Sequence, residues 1–180
     1  MELIHLKIIK SLLLSRKAIL VEGPSDELII QRAYKDKNEN KLPIEKEIDV
    51  ISANLTFKRF LEVADLINKS IAVVTDNDRD YDTNIEKKYD KYKDSATIKI
   101  FADNRNDLNT LEPQIVDANK NDLKLLCEIF EIDKDKYNTV DLIKQYMTDN
   151  KTECALKIFN SEKSINYPQY INSVIEWCDE

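Results

Sequence analysis

The sequence predicts an α/β fold, a roughly four-stranded parallel sheet flanked by helices and followed by a helical C-terminal extension. Two observations carry this expectation. Four short apolar or β-branched segments, "KAILVE" (Lys17–Glu22), "EIDVIS" (Glu47–Ser52), "SIAVVT" (Ser70–Thr75) and "TIKIF" (Thr97–Phe101), are separated by stretches with helical spacing. That alternation builds parallel βαβ units whose strands are buried on both faces. From about Asn119 onward the strand-like segments cease, and only three- and four-residue apolar spacings remain.

The elements follow in order. "HLKIIKSLLLS" reads as an N-terminal helix. After the first strand, Gly23 and Pro24 turn the chain, and Ser25 or Asp26 is placed to cap a helix carrying Leu28, Ile29, Ala33 and Tyr34. Phe57, Phe60, Leu61, Ala64 and Ile67 form the stripe of the next helix. In the C-terminal third, helices are marked by Leu123, Leu126, Cys127 and Phe130, then by Leu142, Ile143, Tyr146 and Met147. Cys154, Ala155, Ile158 and Phe159 mark the third, and Ile171, Val174, Ile175 and Cys178 the last. The expected division is a core over residues 1–118 and a helical extension over 119–180 packed on it. No repeat or low-complexity linker separates the two.

Composition sets the outer bounds. With 180 residues, 42% apolar and 34% charged, the chain can bury the core of one α/β domain. No apolar run approaches bilayer length, and the N-terminal apolar stretch is broken by Lys7, Lys10, Arg16 and Lys17 without a small-residue cleavage site. A cytoplasmic location is expected. Cys127, Cys154 and Cys178 are odd in number and form no C-x-x-C pair, which reads as reduced core thiols. His5 is the only histidine and the cysteines are widely spaced, which argues against a His/Cys zinc site. A net charge of −7 argues against a broad basic surface that grips nucleic acid unaided, but leaves room for acidic clusters that work through bound cations.

Those acidic clusters sit where strands end. In an open parallel sheet, functional groups gather beyond the carboxyl ends of the strands. Glu22 closes the first strand, and the turn at Gly23 brings Asp26 to the same edge. Alone, the pair could be a solvated strand end and a helix cap. Gly23, the only glycine in the chain, is expected to allow a tight reversal there without crowding a metal. The third strand runs into "TDNDRDYD", with Asp76, Asp78, Asp80 and Asp82 at alternate positions. Carboxylates this crowded need solvent, protonation or a hard cation. An EF-hand reading fails, because the sixth position is Tyr81, the twelfth is Lys87, and a strand precedes the run. Asp80 and Asp82 fit a charged surface turn, whereas Asp76 and Asp78 sit at the strand end. Glu112, in "NTLEP" after the fourth strand, adds a third acidic point. Lys151 begins a helical run that Asp149 or Asn150 could cap. A lysine there opposes the helix dipole, and it is either an exposed lysine or one that steadies charge on a phosphoryl group.

"ILVEGPSDELII", "IAVVTDNDRD" and "NTLEP" together resemble the Toprim (topoisomerase–primase) domain, whose signature is a glutamate and glycine turn after strand one and an Asp-x-Asp after strand three. More narrowly, "TLEP" and "KTECA" (Lys151–Ala155) resemble the C-terminal nuclease domain of OLD-family ATP-dependent endonucleases. The resemblance spans about Lys17 to Phe159. It implies a metal-dependent DNA endonuclease that uses Mg²⁺ or Mn²⁺, two ions, and leaves 5′-phosphate and 3′-hydroxyl ends. Glu22, Asp26, Asp76, Asp78 and Glu112 would hold the metals, Thr110 would add an oxygen ligand or orient one, and Lys151 would stabilise the transition state. Glu22 and Asp76, with Lys151, are the expected catalytic residues.

Such proteins couple the nuclease to an ABC-type ATPase, whose phosphate loop needs two glycines. With one glycine this chain holds no ATP site of that kind. It is expected to be the nuclease part of a larger protein, with "HLKIIKSLLLS" leading out of the ATPase, or a stand-alone Toprim protein with the ATPase in trans. DNA is the expected partner, a homo-oligomer is open, and phage defence and DNA repair both suit the family. Three rivals stand beside this reading: a primase or topoisomerase fragment, a phosphatase or receiver domain built on "VVTDNDRD", and a non-catalytic metal-binding module.

Overall fold

The computed structural model describes residues 2–54 and 57–180, with the side chains of residues 2–7 outside that description, so the surroundings of His5 fall outside it. Four strands form one sheet: β1 (Lys17–Val21), β2 (Ile48–Ser52), β3 (Ile71–Val74) and β4 (Ile98–Phe101). Their order is β2-β1-β3-β4, and every neighbouring pair is parallel. The strand segments expected from sequence are all present, each trimmed by at most a residue or so per end. The chain passes from β1 outward to β2, then crosses back to place β3 on the other side of β1. The strand order therefore reverses between β1 and β3, and a crevice opens there beyond their carboxyl ends.

β1 is buried throughout, as a central parallel strand covered on both faces should be. Ile19, Val21, Val50, Ala72 and Val74 face one side. Ala18, Leu20, Ile51, Val73 and Ile98 face the other. The second side is covered by α1 (Glu2–Leu14) and α3 (Phe57–Leu66), the latter through Phe57, Phe60, Leu61 and Ala64. Ile67, assigned to that stripe by spacing, lies past the helix end and is exposed. The same side holds a segment that sequence spacing did not reveal. A π-helical turn (Asp82–Lys87) and a 3-10 turn (Asp90–Tyr92) bury only Ile85 and Tyr92, with Tyr89 buried between them. Three apolar residues scattered among aspartates and lysines give no clear period to read.

On the first side, α2 (Pro24–Lys37) lies between the sheet and the helices that follow. α4 (Leu111–Ala118) is followed by α5 (Leu123–Phe130), α6 (Val140–Asp149), α7 (Lys151–Asn160) and α8 (Gln169–Asp179). Their apolar faces join the cluster that contains Ile29, Ile30 and Ala33 of α2. α7 packs along α2, and α8 reaches α2, β3 and β4. Cys127, Cys154 and Cys178 are buried free thiols. Burial pushes Cys154 and Cys178 up to about 12, so both stay protonated and unreactive at neutral pH. Among the described residues no helix is long and apolar enough to cross a membrane.

Candidate metal centre

The crevice between β1 and β3 is an open cleft of about 430 Å³ lined by Glu22, Asp26, Asp76, Glu112 and Lys151, with Asn54 and Thr152 on its wall. Four of the expected carboxylates and the expected lysine are therefore neighbours, although they come from four separate stretches of chain. Glu22 follows β1 directly. Its Oε1 accepts the Thr75 hydroxyl at 2.5 Å and the Asp76 backbone N–H at 3.0 Å. These two bonds tie the end of β1 to the end of β3 and leave the second carboxylate oxygen of Glu22 without a partner among them.

Asp26 stands in the first turn of α2 and accepts the Gly23 backbone N–H at 3.1 Å. Gly23, not Ser25 or Asp26, is the N-cap, with Pro24 at the first helical position where its missing N–H costs nothing. Gly23 does not make the tight reversal expected of it. Its φ of −144° is extended backbone that any residue adopts. A Cβ there would meet only the Asp26 carboxylate, at an ordinary 3.6 Å. Neither a tight reversal nor a steric clash within the chain explains the glycine. Gly23→Ala is accordingly expected to melt within about 3 °C of wild type, since the small loss in capping and the gain from a stiffer unfolded chain are each below about 1 kcal/mol. A thermal unfolding scan checks this.

Glu112 lies in the first turn of α4 and is 3% exposed. Thr110, the N-cap of α4, donates its hydroxyl to Glu112 Oε2 at 2.9 Å. Lys151 Nζ sits 3.2 Å from Glu112 Oε1. Lys151 is half exposed at the start of α7, so its ammonium stands at the rim of the cleft. Beside it, the Ser25 and Thr152 hydroxyls approach to 3.4 Å, bringing the starts of α2 and α7 together.

Electrostatics mark this cleft among the carboxylates. Burial, then Glu22, Asp26 and Glu112, push Asp76 up to about 9. Burial and then Glu22 raise Asp26 to about 6. Asp78 stands apart. It is exposed, with a left-handed φ of 48°, and Arg79 follows at 69°. Asp78 does not line the cleft. Asp80 and Asp82 are exposed, as a surface turn requires, and Asp80 caps the local turn by accepting from Thr83. Among the described residues no three His, Cys, Asp or Glu side chains form a ready-made metal-ligating group. The donor set nevertheless suits a hard divalent cation, because it is all oxygen and carries negative charge that only protons or a cation can relieve.

Sequence reasoning missed two contributors. Thr75, the hydroxyl residue that ends the apolar run of β3, orients Glu22. Asn77, the residue between the two aspartates, is fully buried. A Thr after an apolar run is a faint signal, and an Asn within an acidic run gives none.

A four-stranded parallel sheet in this order, with a glutamate beyond β1 and aspartates beyond β3, is the Toprim fold. Residues 13–78 match the family model described as "Overcoming lysogenization defect protein-like, TOPRIM domain". The fold is similar to the C-terminal region of the Burkholderia pseudomallei OLD protein, at TM-score 0.64 and 18% identity over 92% of this chain and 97% of that one. It is also similar to the C-terminal region of the Xanthomonas campestris pv. campestris OLD protein, at TM-score 0.61 and 19% identity over 91% of this chain and 94% of that one. No curated protein sequence matches the chain significantly. Over residues 13–78 the chain is thus similar to the OLD-like Toprim domain, and the likeness in fold extends through the C-terminal helices.

Proposed function

We propose that this chain is a divalent-metal-dependent DNA endonuclease module acting with an ABC-type ATPase in cis or in trans. The observation that carries the reading is the convergence of Glu22, Asp26, Asp76 and Glu112 in one cleft beside Lys151, with two of the four acids displaced toward protonation. Structural carboxylates are usually paired with cations or left to solvent. Among the described residues only one lysine faces four acids, so the cleft suits positive charge that those residues do not supply.

Glu22, Asp26, Asp76 and Glu112 would hold Mg²⁺ or Mn²⁺. The ion or ion pair would supply charge neutralisation at the phosphate and a more acidic water. Hydrolysis of the phosphodiester would add a water's hydroxyl to phosphorus, break the bond to the 3′ oxygen and return the proton to that oxygen, leaving a 5′-phosphate and a 3′-hydroxyl. The chain's own groups shape this step. Thr75 and the Asp76 N–H fix Glu22 in one rotamer, and Thr110 does the same for Glu112. Lys151, held at the rim by Glu112, places a cation where charge grows on the phosphoryl oxygens. Asp78 would join only after its left-handed turn swings inward. The net charge of −7 gives little general attraction for a duplex, which agrees with a partner domain supplying that grip. A cytoplasmic setting, in phage defence or repair, belongs to the same proposal.

Supercoiled plasmid incubated with Mn²⁺, with Mg²⁺ and with EDTA tests the reading. Nicking is expected with metal and absent in EDTA. Lys151→Ala is expected to lower the rate about 10²-fold, the scale for one charge-stabilising donor. Metal-independent cutting, or full activity in Lys151→Ala, would refute the assignment.

A further inference from the structure

The two acidic arms of the cleft come from different loops, and one side chain joins those loops. Asn77 is 0% exposed, although it lies in the most acidic run of the sequence. Its amide nitrogen donates to the Asp103 carbonyl at 2.8 Å and to the Arg105 carbonyl at 2.9 Å. Its amide oxygen accepts the Arg79 N–H at 2.8 Å. Its own carbonyl accepts from Asn84 Nδ2 at 2.9 Å and from the Asp80 N–H at 3.0 Å. Both amide donors and the amide oxygen are thus in use, and only asparagine offers that set at this length.

The loop that Asn77 grips leads to Glu112. Arg105 binds Asp103 with two bonds of 2.9 and 2.7 Å and reaches Asp117, near the end of α4, at 2.7 Å. Gln114 of α4 donates to the Leu108 carbonyl at 2.7 Å and accepts from the buried Tyr170 hydroxyl at 2.6 Å. A continuous set of bonds therefore runs from the residue between Asp76 and Asp78 to the helix that carries Glu112.

We infer that Asn77 is the positioning residue that locks the β3 arm, with Asp76 and Asp78, to the β4–α4 loop and so sets the separation of Asp76 from Glu112. The inference deepens the metal-site reading and rests on it for its consequence in affinity. The lock itself is independent of any metal. Asn77 does not touch substrate. It holds the backbone on either side of itself, and it leaves the Asp76 carboxylate free for the cleft.

Four full-length proteins decide the matter: wild type, Asn77→Asp, Arg105→Ala and, as a control of comparable destabilisation, Ile143→Ala in the buried face of α6. Asn77→Asp keeps the shape but turns an oxygen toward the Asp103 and Arg105 carbonyls. The Arg105 side chain is 45% exposed and can be truncated without opening the apolar core. Amide hydrogen exchange is read at Arg79, Arg105 and Leu108, whose N–H groups are bonded within the two loops. Mn²⁺ affinity is read by titration calorimetry. Asn77→Asp is expected to speed exchange in both loops at least 10-fold and to weaken Mn²⁺ binding at least 10-fold. Arg105→Ala is expected to move both readouts the same way by a smaller factor, and Ile143→Ala neither. Faster exchange at Arg79 with Arg105 and Leu108 unchanged would overturn the lock. So would Mn²⁺ affinity that Ile143→Ala weakens as much as Asn77→Asp does. If wild type binds no Mn²⁺, the metal-site reading falls, while exchange still decides whether Asn77 joins the loops.

Discussion

Asp76→Asn is expected to raise the stability of the metal-free protein at pH 8 while ending DNA nicking. The two effects have one cause. In the folded state the Asp76 carboxyl is pushed up to about 9 by burial and by Glu22, Asp26 and Glu112, whereas an unfolded aspartate titrates near 3.9. Between those values the folded protein binds more protons than the unfolded one, so stability falls as pH rises. The contribution is fully present below about pH 4 and is lost as pH climbs through the folded value. Asp26, raised to about 6, adds the same trend at the lower end of the window. Asparagine has nearly the same shape and no charge to suppress. The gain at pH 8 is about 1–3 kcal/mol, the common scale for single substitutions with a named cause, and each kcal/mol moves the midpoint by about 2–4 °C in a chain of this size. Melting scans in EDTA at pH 5 and pH 8.5 should show wild type losing stability with rising pH and Asp76→Asn losing distinctly less. Adding Mn²⁺ should raise the midpoint of wild type and leave the variant nearly unmoved, with nicking down by at least about 10³-fold. A variant that is less stable than wild type at pH 8.5 in EDTA would show that the repulsion is absent.

How much of this was legible in the sequence depended on whether a residue's role is local. The strands were visible because a parallel sheet buried on both faces demands short, continuous β-branched runs, and little else in a soluble chain produces them. Glu22, Asp26, Asp76 and Glu112 stood out as candidates because each sits at an element boundary that the periodicity marks, whereas Lys151 became one only through the resemblance carried by "KTECA". The sequence could not show that Asp78 stays outside the lining of the cleft, since a left-handed turn of two non-glycine residues leaves no compositional trace. Gly23 misled for the opposite reason. A solitary glycine suggests a conformational need, but its backbone is extended. Asn77, Thr75 and Arg32 were invisible because their importance lies in partners 26 or more positions away along the chain. A buried asparagine in an acidic run looks like any solvated one until the fold brings two carbonyls to it.

Arg32 carries the largest expected effect on stability. It lies in α2, is 3% exposed, and its guanidinium meets the far end of α7. One terminal nitrogen donates to the carbonyls of Ile158 at 2.6 Å, Phe159 at 3.2 Å and Ser161, and the other to Lys163 at 3.0 Å. The remaining nitrogen binds Asp36 at 2.7 Å, and Asp36 also accepts the Tyr167 hydroxyl at 2.7 Å. The last carbonyls of a helix have no partners within it and carry the negative end of its dipole. Arg32 therefore caps α7 from another element, and the fork of five N–H donors is what a lysine lacks. Arg32→Met keeps the buried apolar stem but takes the guanidinium from those carbonyls and leaves Asp36 without its cation. A loss of about 3–5 kcal/mol is expected by urea unfolding, and Arg32→Lys should recover less than half of it. Amide exchange should quicken in residues 158–163 before it does in β1. The consequence reaches the cleft, because α7 begins at Lys151 and packs along α2, whose first turn holds Asp26. A helix loosened at its far end holds its first residue less firmly, so nicking per folded molecule should fall in Arg32→Met by a smaller factor than in Lys151→Ala. Equal activity per folded molecule would confine Arg32 to stability alone, with α7 held in place by its apolar face.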